Sequence, residues 1–273
     1  MAALWLQHLS PASPANALRR AVRAIEGDDE PHTVVFAAVR DGGDPFAPVV
    51  HHPQPVEDGA ALGDLLRHWA VGGAVAAAAL PAPGDPAGVP ASVASLALEE
   101  GECLLVHDAA GASWAAVPVV EVFGSEWEPG RLVEWRVTPV PDWRTSFLAT
   151  VGSLPDAERS MRATLSEATG ALDQLDVARW RPDAASALSS LRSAPTLTVD
   201  LPDDLAARRI QVLVTAARLR RVVELATEDD GGAVSLWQAD QRSTALRTID
   251  RAARVAIAAA SLGLDPAARL SER

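Results

Sequence analysis

Lysine is absent from this 273-residue sequence, tyrosine is absent too, and Cys103 is the single cysteine. Each absence removes a chemistry. Without lysine there is no Schiff-base amine, no phosphate-loop lysine and no kinase-type ion pair. Without tyrosine there is no phenolic acid or base. A lone thiol forms no intramolecular disulfide and no cysteine-rich zinc or iron–sulfur site. Cys103 stands in the apolar run Glu102-Cys103-Leu104-Leu105-Val106, which predicts a buried, inert thiol. All 24 basic side chains are arginines, alanine dominates, and Asn16 is the one asparagine. Codon bias in a GC-rich genome accounts for that pattern.

Long apolar runs are lacking as well. The longest, Val71 to Pro83, is interrupted by glycine and proline. It falls short of the roughly 18–20 residues that span a bilayer. The stretch Met1 to Ser10 has no leading basic cluster, which does not fit a secretory signal. By elimination the expected location is cytoplasmic, with no membrane partner.

Hydrophobic residues make up 48% and charged residues 22%, so the chain can form a globular core. Its length exceeds the usual domain of about 100–150 residues, which predicts two domains. Residues 1–150 hold 19 acids and 8 arginines, a formal charge of −11, against −1 for residues 151–273. An acidic front half argues against nucleic acid as a partner.

The residue pattern changes character near residue 150. Before it, short β-type runs alternate with Gly/Pro turns. Spacing predicts a helix from Pro14 to Glu26, a strand from His32 to Arg40, and a helix from an Asp58 N-cap to Trp69. Ala74 to Leu80 reads as a strand or a buried helix segment. Three strands follow, Glu102 to His107, Trp114 to Phe123 and Leu132 to Pro139, joined by turns at Asp108–Gly111 and Glu128–Gly130. After residue 150, amphipathic helices are expected from Asp156 to Leu175, from Asp203 or Asp204 to Thr227, and from Ala233 to Leu262, with a short one after Pro182. The expected fold is α+β: an N-terminal mixed α/β domain with a mostly antiparallel sheet over 1–143, a linker over 144–155, and a C-terminal antiparallel helical bundle over 156–273.

The most distinctive string is Leu80-Pro81-Ala82-Pro83-Gly84-Asp85-Pro86-Ala87-Gly88-Val89-Pro90. It follows an apolar run and precedes a helix, a place where α/β proteins put binding groups. Asp85 would be the polar anchor of a ligand, with Gly84 and Gly88 admitting it to the backbone and His68 or His107 assisting. The competing reading is a proline-stiffened turn in which Asp85 bonds its own backbone. The string lacks the spacing and lysine of a phosphate loop. His51 and His52 are adjacent, so on an extended segment they point to opposite faces and do not share an ion. No metal site and no cofactor are expected. No GxSxG occurs, and neither serine nor cysteine stands beside the His107-Asp108 dipeptide in sequence. Trp114, Trp127, Trp135 and Trp143 are read as packing around the sheet.

The helical half carries one organised charge feature. Arg247, Arg251 and Arg254 fall within about 60° on an ideal helix. They form either a self-neutralised face, through an Asp250–Arg254 pair, or a docking face for an acidic protein partner or a second copy.

Three strings resemble an uncharacterised family of actinobacterial cytoplasmic proteins: Leu80–Pro90, Glu100-Gly101-Glu102, and Leu175–Leu188. The resemblance implies provenance and cytoplasmic location and carries no chemistry. No complete catalytic set can be assembled, so the expectation is a non-catalytic protein-interaction or scaffold protein, possibly homodimeric. The alternative is a small-molecule-binding protein or enzyme that uses the Pro83–Gly88 loop.

Overall fold

The computed structural model describes residues 1–10, 12–27, 29–37, 39–40, 49–50, 54–71, 73–125, 128–174, 200–227 and 236–263. The chain divides into two compact units, one of Met1–Thr150, Val199–Leu205 and Ser261–Arg273, the other of Val151–Thr198 and Ala206–Ala260. The architecture is α+β, with a mixed sheet in the first unit and helices in the second.

In the first unit the chain runs α1 (Ala2–His8), α2 (Ala15–Glu26), β1 (Thr33–Phe36), β2 (Val39–Arg40), β3 (Val49–Val50), α3 (Leu62–Ala70), β4 (Val75–Ala79), α4 (Ala94–Glu100), β5 (Cys103–His107), β6 (Ser113–Gly124), β7 (Pro129–Pro139) and α5 (Arg144–Val151). The sheet order is β1-β7-β6-β5-β4, with β1 parallel to β7 and the other pairs antiparallel. The expected strand from His32 to Arg40 is divided: β1 joins this sheet, whereas β2 pairs with β3. α1 was not legible as a helix, although Ala2 through Leu6 are all buried. Residues 144–151, within the expected linker, are helical.

Helix α3 buries Leu62, Leu65, Leu66 and Trp69, as its period requires. Its start differs from the expectation. Ala61 is the N-cap, and Asp58 instead accepts the Phe36 N–H through Oδ1 at 2.8 Å. One core joins α1 and α3 to the sheet through Leu6, Leu62, Trp69, Val106, Trp114 and Val137. Behind β5, Trp143 donates its indole N–H to the Val106 carbonyl at 3.1 Å, and Phe147 meets Trp143 edge-on at 5.6 Å.

Both outer edges of the sheet are covered. Along β1, the Val34 N–H donates to Ala60 O, the Gly59 N–H to Val34 O, and the Phe36 N–H to Asp58. Along β4, the Ala78 N–H donates to Ser261 Oγ at 2.8 Å and the Gly263 N–H to Ala76 O at 3.0 Å. Gln7 Nε2 donates to Ala76 O and to Ser261 O, holding the returning chain against that edge. Covering edges in this way blocks unwanted strand pairing. The 200–205 segment is tied down as well: Trp5 donates to Asp200 O, and Arg20 forks onto the Asp200 and Asp203 carboxylates.

The second unit holds α6 (Leu154–Gln174), α7 (Ala207–Thr227) and most of α8 (Leu236–Ser261). α7 and α8 run antiparallel: Arg242 reaches Ala226 O, Arg209 reaches Ala260 O, and Val223, Ala226, Leu246 and Ile249 form a shared core. α6 meets α7 at their N-terminal ends, where the buried Glu158 accepts from Arg162 and from Arg208 Nε. The short helix expected after Pro182 lies outside the described residues. Among the described residues, no helix is long and apolar enough to cross a membrane.

Candidate functional site

The Leu80–Pro90 loop has the geometry of a stiff turn. Ala82 and Asp85 exchange backbone hydrogen bonds at 2.9 and 2.8 Å, and Asp85 Oδ1 accepts the Ala87 N–H at 3.2 Å. Gly84 and Gly88 have φ of +79° and +78°. A Cβ on Gly88 would stand 3.0 Å from Phe147 Cδ2, so the absent side chain admits α5 rather than a ligand.

His107, at the end of β5, is paired in register with Ser113, and its Nδ1 lies 2.8 Å from Ser113 Oγ. The neighbouring Asp108 is spent on the hairpin, with Oδ1 accepting the Ala112 N–H and Oδ2 the Trp114 indole N–H. His107, Ser113, Asp142 and Arg144 line an open depression of about 710 Å³. The Arg144 guanidinium forks onto Asp142 and holds its carboxyl far below the usual carboxylate range. A smaller depression lined by Gly88 shares Pro141 and Asp142 with it. The fold thus brings His107 and Gly88 to adjoining depressions, whereas Asp85 and the exposed His68 line neither.

The arginine face separates into different environments. Arg247 and Arg251 are exposed, and Arg247 donates to Thr244 Oγ1. Arg254 is only 5% exposed, and its Nε donates to Asp250 Oδ2 at 2.7 Å while Arg220 Nε approaches Asp250 Oδ1 at 3.3 Å. The expected i,i+4 pair therefore forms, and Arg254 is withdrawn from any docking face by burial.

Cys103 is buried, and desolvation pushes its thiol up to about 12. Trp114, Trp135 and Trp143 are buried and each donates its indole N–H to the protein, which makes them packing residues. Trp127, His51 and His52 lie outside the described residues. Among the described residues no group of three or more His, Cys, Asp or Glu could hold a metal ion.

A different feature stands out from the sheet. β6 and β7 pair over eleven registered positions, from Trp114 with Pro139 to Gly124 with Pro129. β5 accompanies β6 only as far as Ala116, and β1 accompanies β7 only from Glu134 onward. The distal part of the hairpin, Val119 to Gly124 with Pro129 to Leu132, therefore extends past both β5 and β1 as a two-stranded ribbon. Val120, Val122, Phe123 and Leu132 on this ribbon are 45%, 65%, 44% and 46% exposed. They are four of the five large hydrophobic side chains most open to solvent among the described residues. Phe123 lies across Gly130, where a Cβ would overlap its ring, so a glycine–aromatic contact joins the two strands there. The strands themselves were legible in the sequence; their excess length over the flanking strands was the missed signal.

Residues 1–150 match the family model described as Rv1486c-like protein, N-terminal domain, and residues 155–258 match Rv1486c-like protein, C-terminal domain. No curated protein and no solved structure matches the chain.

Proposed function

The chain belongs to the Rv1486c-like protein family, and from its open ribbon we propose that it is a non-catalytic protein-interaction or scaffold protein that binds through β6 and β7. The observation that carries this reading is a contrast within one sheet. The β1 and β4 edges are both covered by the chain's own groups, whereas among the described residues no strand lies beside the ribbon's edges, which carry exposed valine, phenylalanine and leucine side chains. Burying such side chains in an interface contributes on the order of 1 kcal/mol each. Exposed apolar strand edges are the usual template for pairing with another chain. Compared with the sequence expectation, the interaction surface moves from the arginine helix to the hairpin. The cytoplasm of an actinobacterium is the proposed setting, in keeping with a single buried thiol and no disulfide. Ligand binding at the Pro83–Gly88 loop has less support, because Asp85 Oδ1 is engaged by the Ala87 N–H and Gly88 accommodates Phe147.

The test is site-specific photo-crosslinking in cells. A photoreactive residue at Val122 should give adducts with protein, whether a second copy or another chain, while one at the exposed Arg67 on α3 should not. Equal labelling from both positions, or none from Val122, would overturn the reading.

A further inference from the structure

The depression of about 710 Å³ beside the β5–β6 turn combines apolar walls, from Ala112, Trp114, Pro139, Val140 and Pro141, with the polar groups of His107, Ser113 and Arg144. A few polar groups on an apolar lining of this volume is the usual make-up of a small-molecule pocket. The Ser113 hydroxyl is buried, and among the described residues His107 Nδ1, at 2.8 Å, is its hydrogen-bond partner. A buried hydroxyl places its hydrogen on an acceptor, so Nδ1 accepts and the neutral ring carries its proton on Nε2. Nε2 has no partner among the described residues and is reached by solvent, which leaves a free N–H donor on the side of the ring away from Ser113. Arg144 supplies further donors. Its Nε and Nη2 each donate to Asp142, whose Oδ1 also accepts the Arg144 backbone N–H. Asp142 thereby fixes the plane of the guanidinium, and of its five N–H groups three remain without a partner among the described residues.

We propose that this depression is a binding site for a small organic carboxylate, held by the outer N–H groups of Arg144 and by His107 Nε2–H. The site is separate from the ribbon and does not depend on the interaction reading. Both polar groups present donors, so the matching ligand group is one that only accepts. A carboxylate is planar and takes two parallel N–H groups of a guanidinium, a geometry that Asp142 has already oriented here. The charge balance also favours it over a phosphate. Asp142 stands in the same wall, and its negative charge opposes a dianion more than a singly charged group. The Asp142 oxygens are turned to Arg144, so they do not compete for the ligand's place on the outer N–H groups. The walls at Ala112, Pro139 and Val140 offer no side-chain partner for a second polar group, which makes the rest of the ligand apolar.

The probes are benzoate, cinnamate and indole-3-acetate, each compared with its own primary amide, in saturation-transfer NMR titrations of the full chain. At least one acid should bind, and its amide, which has the same shape without the charge, should bind far more weakly. Arg144→Gln and His107→Gln should each weaken the acid by about tenfold, the usual effect of removing a charge-assisted donor. Arg67→Gln, on the exposed face of α3, should leave it unchanged. A second measurement needs no variant to fold. In the wild-type chain the bound acid should protect Arg144 from phenylglyoxal, read by peptide mass spectrometry, while Arg67 stays reactive. Binding of none of the three acids overturns the proposal, as does equal binding of acid and amide. So does an affinity that Arg144→Gln leaves unchanged, or labelling of Arg144 that the acid does not slow.

Discussion

Replacing Gly84 or Gly88 with alanine separates backbone strain from packing in the Leu80–Pro90 loop. The two glycines have nearly the same left-handed φ, +79° and +78°. An alanine in that region costs about 1–2 kcal/mol at either position. The surroundings of the new methyl group differ. At Gly84 a Cβ meets nothing within 4 Å; at Gly88 it stands 3.0 Å from Phe147 Cδ2 and 3.6 Å from both Phe147 Cα and Thr150 Cβ. The Phe147 ring is fully buried and wedged against Trp143, so it has little room to move. Forcing a methyl group into such a site adds about 1–3 kcal/mol. The expected losses are therefore about 1–2 kcal/mol for Gly84→Ala and about 2–5 kcal/mol for Gly88→Ala. At about 2–4 °C per kcal/mol for a domain of this size, the thermal midpoints should separate clearly. Urea titration followed by tryptophan fluorescence measures both, since Trp143 lies beside the site. Equal losses, or a larger loss at Gly84, would refute the claim that Gly88 is there to admit α5.

His32 and the Asp250 cluster give two further tests. His32 is buried, accepts the Trp135 indole N–H at Nδ1, and has its pKa lowered by desolvation, opposed by Glu26 and Asp29. The folded state thus favours neutral His32, and its contribution to stability is present above the unfolded pKa of about 6.5 and is lost as pH falls below it. His32→Gln keeps an acceptor for Trp135 but removes the titration. The difference in urea midpoint between wild type and variant should shrink or reverse toward acid, and a pH-independent difference would contradict the assignment. Asp250→Ala removes the carboxylate shared by Arg254 and Arg220, for an expected loss of about 1.5–3 kcal/mol, whereas Arg247→Ala should change stability by less than about 0.5 kcal/mol. Calorimetry that finds the two variants equivalent would mean that Arg254 draws no stability from this pair.

The sequence alone determined what depends on near neighbours along the chain. Periodicity placed α2 and the buried face of α3, the apolar run around Cys103 marked a buried thiol, and turn residues placed the β5–β6 hairpin. Local spacing also found the Asp250–Arg254 pair, because i,i+4 contact is a property of one helix. Tertiary structure decided everything that depends on which strand ends where. Asp58 looks like a helix cap until the fold carries Phe36 to it. Gly88 looks like a ligand glycine until Phe147 of a helix about 60 residues later packs on it. His107 and Ser113 stand six residues apart in sequence, and register makes them a cross-strand pair. The open ribbon is the sharpest case: the strand pattern of β6 and β7 is visible in the sequence, but its exposure comes from β5 and β1 stopping short, a difference in length between segments that meet only on folding. Alternating side chains tell which residues share a face; only the neighbours' ends tell which backbone groups are left without a strand beside them.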